Sequence, residues 1–225
     1  EDYLYFADTK HVPYGIKPKE KVKHYIFEAV DFISEQGVKA LVIACNTATS
    51  IAIDDLREKY QFPIIGMEPA VKPAVEKVNG KRVLVVATNT TVREEKLHNL
   101  VTRLESVKTV DLHPLPRLVE FAEEFVFDDD VVIPYLKSEL SKYDLERFGA
   151  VVLGCTHFLF FRKHIEKVLP PGVAIVDGNI GTVNRLSNML KEAGSEVDEG
   201  NGDVIFYSSG ERVSDEKRYR RYLEL

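Results

Sequence analysis

Cysteine is scarce in this chain of 225 residues: there are two, too few for a disulfide framework, which points to a reducing, cytoplasmic setting. No apolar stretch approaches the roughly 18 residues of a membrane span. No signal peptide opens the chain, so a membrane location and export are both unexpected. Positive charge is not in excess either. A net charge of −6 and a pI near 5.6 argue against general nucleic-acid binding. The one dense basic cluster, Lys217-Arg218-Tyr219-Arg220-Arg221, is offset by Glu211, Asp215 and Glu216 and reads as the solvated face of a last helix. Low-complexity segments are missing. No second Cys or His stands at ligand spacing from either cysteine, so no zinc site and no other metal site is expected.

What is present is a soluble globular composition, 44% hydrophobic and 29% charged, with length enough for one large domain or two small ones. Short apolar runs alternate with helical patterns throughout. The expected strands are Tyr3–Phe6, Ala40–Ala44, Ile64–Gly66, Arg82–Ala87, Thr109–Leu112, Ala150–Gly154, Ala174–Asp177 and Asp203–Tyr207. The expected helices are Lys19–Gln36, Ala48–Tyr60, Thr91–Leu104, Leu115–Phe125, Val131–Lys142, Leu159–Leu169, Thr182–Ala193 and Glu211–Leu223. Gly37, Gly149 and Gly194 fall where helices should end. This alternation gives an α/β fold with mainly parallel sheets covered on both faces. The segment Met67 to Pro73 and the turn Asn79-Gly80 mark a crossing between lobes, and Asp177-Gly178-Asn179 marks the return. One lobe would then comprise residues 1–78 and 178–225, and the other residues 79–177. The chain enters a strand at Glu1-Asp2-Tyr3, and an earlier strand and helix are expected to lie outside this numbering.

Both cysteines close an apolar run. Ala40-Leu41-Val42-Ile43-Ala44 leads into Cys45-Asn46-Thr47, and Ala150-Val151-Val152-Leu153-Gly154 leads into Cys155-Thr156-His157. Open α/β sheets hold ligands just beyond the carboxyl ends of their strands, where these thiols fall. Two similar halves would present them to one pocket from opposite sides. Such a pair suits removal of a proton from one face of a carbon and its return to the other. A following helix N-terminus favours thiolate and offers N–H donors to a carboxylate. The ordinary alternative is a pair of small core residues.

Other residues carry two readings. His157, two positions after Cys155, is either a surface residue or an acid, base or electrostatic partner of the thiol. Pro13-Tyr14-Gly15 is a loop at the ligand edge of the sheet or an ordinary turn. Thr88-Asn89-Thr90-Thr91 serves equally as helix cap or as anion donor. Glu120, on the apolar stretch Leu118-Val119-Glu120-Phe121-Ala122, faces solvent or assists a neighbouring Cys or His.

Taken together, Val12-Pro13-Tyr14-Gly15, Ala44-Cys45-Asn46-Thr47-Ala48-Thr49, Gly154-Cys155-Thr156-His157 and Phe206-Tyr207-Ser208-Ser209-Gly210 resemble glutamate racemases, within the aspartate/glutamate racemase family. The likeness runs in order along essentially the whole chain. It implies two pseudo-symmetric α/β lobes with the site in the cleft between them, no cofactor, and commonly a homodimer. Cys45 would take the α-proton of D-glutamate and Cys155 that of L-glutamate, with Glu120 and His157 assisting the second thiol. Pro13, Tyr14, Gly15, Asn46, Thr47, Thr88, Thr91, Thr156 and His157 would hold the substrate. The product would supply bacterial peptidoglycan. The family's opening strand and its Gly-rich turn with an Asp-Ser pair have no match here. Rival readings are a racemase or isomerase of aspartate or a related acid, a one-thiol decarboxylase, a silent binding protein, and a thiol redox switch.

Overall fold

A computed structural model describes all residues except 79, 105, 197–199, 223 and 225. In chain order the elements are β1 (Tyr3–Ala7), α1 (Lys19–Glu35), β2 (Leu41–Ile43), α2 (Asn46–Lys59), β3 (Ile64–Gly66), α3 (Val71–Lys77), β4 (Arg82–Ala87), α4 (Asn89–Arg93), α5 (Glu95–Arg103) and β5 (Val110–Pro114). There follow α6 (Arg117–Glu123), α7 (Asp129–Leu140), β6 (Phe148–Gly154), a 3-10 helix (Thr156–Phe161), α8 (Arg162–Val168), β7 (Ala174–Val176), α9 (Asn179–Glu192), β8 (Val204–Ser208), β9 (Glu211–Arg212) and α10 (Lys217–Tyr222). The expected α/β class is the observed one, parallel sheets flanked by helices. No helix among the described residues is long and apolar enough to cross a membrane.

The second lobe is built on a parallel sheet ordered β5-β4-β6-β7. Both faces of β4 are buried, which explains its unbroken apolar run: Val83 and Val85 pack toward α3 and α5, while Leu84 and Val86 pack toward α6, α7 and the 3-10 helix.

In the first lobe the strands fall into two groups. β1 pairs in parallel with β8, which pairs antiparallel with β9; β2 pairs in parallel with β3. α1 covers these strands with Val22, Ile26, Val30 and Ile33, spaced as one helical stripe. Between β1 and β2 runs a cavity, walled by the consecutive residues Leu4–Ala7 on one side and Leu41–Ala44 on the other. Consecutive residues of a pleated strand share a wall only along its edge. Tyr3 and Ala7 bond toward β8, and Leu41 and Ile43 toward β3. Alternation along a parallel strand therefore aims the peptide groups of Leu4, Phe6 and Val42 into the cavity.

Several expected elements differ. Glu211–Leu223 is not one helix: Ser209 and Gly210 both have positive φ, the geometry of a two-residue hairpin turn, so residues 211–212 return as β9 before α10 begins; Leu223 lies outside the described residues. Thr91–Leu104 is two helices, because Glu94 is extended at ψ 133°. Leu159–Leu169 starts as 3-10 helix. Met67–Pro73 contains the start of α3, whose Pro73 sits in the first turn, where a missing N–H is tolerated. Gly149 lies inside β6, not at a helix end, and an added Cβ would stand 2.7 Å from Val78 Cβ. Gly37 and Gly194 do take positive φ directly after α1 and α9.

Candidate active site

The two cysteine turns are near-copies in backbone as well as sequence. Cys45 ends the β2 segment at φ −150°, ψ 117°, and Cys155 ends β6 at φ −147°, ψ 136°. Both line one cavity of about 350 Å³ that opens between the lobes and continues into the slot beside β1. Both thiols are free.

Around this shared backbone the environments diverge. Cys45 caps α2, its Sγ accepting from Ala48 N at 3.4 Å. Desolvation outweighs that bond, adjacent Cys155 adds repulsion, and the thiol is pushed up to about 11, against the expected lowering by the helix terminus. Cys155 Sγ lies 3.8 Å from His157 Nδ1, and His157 Nε2 lies 2.8 Å from a carboxylate oxygen of Glu123. Desolvation disfavours a charged ring, but the bonds to Cys155 and Glu123 prevail and raise His157 to about 10. The His157 bond in turn lowers Glu123, against its own desolvation.

The carboxylate on His157 is therefore Glu123, where Glu120 was expected. The two lie one turn apart on α6, and the later one, at the helix end, reaches the ring; Glu120 borders the cavity. Pro13, Tyr14, Gly15, Asn46, Thr47, Thr88 and Thr156 also line the cavity. Thr91 stands behind the wall, 1% exposed, instead of in it. Its hydroxyl lies 3.1 Å from Thr88 and 3.2 Å from Thr47, and Thr47 lies 2.9 Å from Thr88. These three hydroxyls tie the start of α2 to the start of α4. Gly15 packs so close to Thr88 that a Cβ would stand 2.7 Å from Thr88 Cβ, and its carbonyl accepts from Thr90. Asn46 donates to Met67 O, while its Oδ1 is buried with no hydrogen-bond partner in the protein.

Asp8 is a site residue the sequence reading missed. It accepts from Tyr14 Oη and from Ser209 Oγ and lies 2.8 Å from His11 Nδ1. Burial first, and then the Asp8 bond and charge, raise Tyr14 well above the usual tyrosine range. The signal was available: Asp8 directly follows β1, as Cys45 and Cys155 follow their strands. Glu123 had no such signal. No group of three or more His, Cys, Asp or Glu side chains suited to a metal occurs among the described residues.

The family model for Asp/Glu/hydantoin racemases matches residues 2–186. The chain is 57% identical to a glutamate racemase of Halothermothrix orenii, over all of this chain and 88% of that protein. Among solved structures, a glutamate racemase isoform of Bacillus anthracis superimposes with TM-score 0.87 at 28% identity, over 100% of this chain and 85% of that one. The Escherichia coli glutamate racemase, solved with L-glutamate and the activator UDP-MurNAc-Ala, gives TM-score 0.81 at 27% identity, over 98% and 85%. With paired strand-end thiols on one cavity and these relatives, the chain belongs to the Asp/Glu/hydantoin racemase family.

Proposed function

We propose that this protein interconverts L- and D-glutamate with two thiols and no cofactor. The observation that carries the reading is the pair of cysteines in matched backbone geometry, on one cavity, in opposed environments. An α-proton is weakly acidic, so one sulfur must be thiolate while the other keeps its proton. The site sets that asymmetry. A charged His157, held by Glu123, lies against Cys155 Sγ, while desolvation pushes the Cys45 thiol up.

From L-glutamate, Cys155 thiolate takes the α-proton, and the Cys45 thiol delivers its own to the opposite face. The product is D-glutamate, with Cys155 now thiol and Cys45 thiolate; the reverse direction starts from that state. The N–H groups opening α2 suit a substrate carboxylate, and Asn46 Oδ1 suits the ammonium. Pro13, Tyr14, Gly15, Thr47, Thr88 and Thr156 complete the walls, with Thr91 acting through its hydroxyl contacts. Fixed donors then meet charge as it develops on the substrate carboxylate.

D-glutamate for peptidoglycan, a cytoplasmic setting, the lobe boundaries 1–78 with 178–225 and 79–177, and a homodimer belong to the same reading. Ile180 and Val183, exposed one turn apart on α9, are an apolar pair a second copy would cover. The test is circular dichroism of L- and of D-glutamate incubated with the protein. Decay of both signals to zero supports glutamate racemisation. A stable signal beside racemisation of aspartate overturns the substrate.

A further inference from the structure

The basic cluster of α10 is more than a solvated face. Arg220 does pair with Glu216, just ahead of the helix, but the rest of α10 joins two parts of the molecule. On one side the Tyr219 ring stacks on Phe206 of β8, with centroids 5.5 Å apart, and meets Tyr5 of β1 edge-on at 5.6 Å. On the other, the Tyr222 ring stacks on Phe125 at 4.4 Å and on Phe160 at 4.9 Å, both in the second lobe.

The Phe125 contact falls just past the C-terminus of α6, where Glu123 sits. Val126 N bonds Phe121 O and Phe125 N bonds Ala122 O, the two bonds of a Schellman ending. Its left-handed position is usually glycine; here it is Phe125, at φ 57°. The ring that burdens this backbone is the one Tyr222 and the Arg221 guanidinium cover. α10 also donates to the last carbonyls of α6: Tyr222 Oη to Ala122 O at 3.1 Å, and Arg218 to Glu123 O at 3.4 Å. The same guanidinium lies 3.5 Å from Glu123 Oε2, while Oε1 faces His157. A continuous line thus runs from Arg218 through Glu123 and His157 to Cys155.

We propose that α10 is a strap joining the β1–β8 sheet to the second lobe, and that Arg218 is a positioning residue holding Glu123 on His157. The strap makes alignment of the Cys155 side depend on how the two lobes sit together. This rests on the racemase reading above.

The test compares the full chain with Arg218→Gln and Arg218→Lys. Racemisation has an equilibrium constant of one, so kcat/KM must fall equally in both directions; a loss of about tenfold is expected in Arg218→Gln, with recovery in Arg218→Lys. The diagnostic readout is the primary deuterium isotope effect on kcat/KM. Slower proton transfer at Cys155 raises it for α-deuterated L-glutamate and lowers it for α-deuterated D-glutamate. Phe125→Gly suits the backbone but deletes the docking ring, and should give the same pattern. Unchanged isotope effects in these variants overturn the strap.

A substrate-free measurement keeps the two proposals apart. In protein with ¹⁵N-labelled histidine, the His157 ring resonances should move in Arg218→Gln and return in Arg218→Lys. If they stay in place, the strap fails, whatever the substrate. If the wild type leaves glutamate unchanged, the racemase reading falls and these shifts alone decide the strap.

Discussion

Cys45 and Cys155 share a backbone conformation and differ in what surrounds it, and chemistry follows from the difference. Either direction of turnover needs both sulfurs, so Cys45→Ser should lower racemisation of L- and D-glutamate alike by about 10³-fold, read by polarimetry. Normal activity in that variant would exclude the two-thiol route. His157 gives a pH dependence whose sign is fixed. Its folded-state pKa is raised to about 10, from an ordinary value near 6.5. The folded state thus binds the extra proton between those values, and its stabilising contribution is full below 6.5 and lost as pH rises through about 10. Thermal melts from pH 6 to 10.5 should show a decline that His157→Asn flattens; parallel curves would contradict it. At this scale the two thiols stood out because each closes an apolar run, and His157 because it follows Cys155 by two positions. Glu123 was not, since two carboxylates one helical turn apart are equivalent until the helix has a neighbour. Thr91 failed for a related reason: a cap motif shows which side chains cluster, not which one faces the cavity.

The 3-10 helix after Cys155 sets where His157 points. Phe158 and Phe161 fix it, each fully buried against α6, α7 and α8. Phe158→Ala should cost about 3–5 kcal/mol in urea unfolding and reduce turnover along with it. Undiminished turnover would show that His157 is held independently of this packing. Elements were legible where burial is complete on both faces: Ile64–Gly66 and Arg82–Ala87 match residue for residue. They were illegible where tertiary contacts decide. The hairpin at Ser209-Gly210 needs a partner strand, and apolar period alone did not separate it from a helix. α3 was hidden by Pro73, which marks a break anywhere except in a first turn.

At the scale of the whole molecule the lobes are unequal. In one, β4 and β6 lie inside a continuous sheet with both faces covered. In the other, β1 and β2 border a slot that reaches the base of Cys45. The slot is visible only in three dimensions, because its walls are about forty residues apart in sequence. Local opening follows how many of a segment's peptide groups are paired and covered. The amides of Leu4, Phe6 and Val42, aimed into the slot, should trade hydrogen for solvent deuterium far faster than those of Val83–Val86, by about three orders of magnitude or more. Equal protection would mean that the edges are sealed in solution. Backbone less protected than that of β4 would border Cys45, the sulfur whose proton must be kept from water, so the endurance of that protonated thiol would follow the breathing of two strand edges.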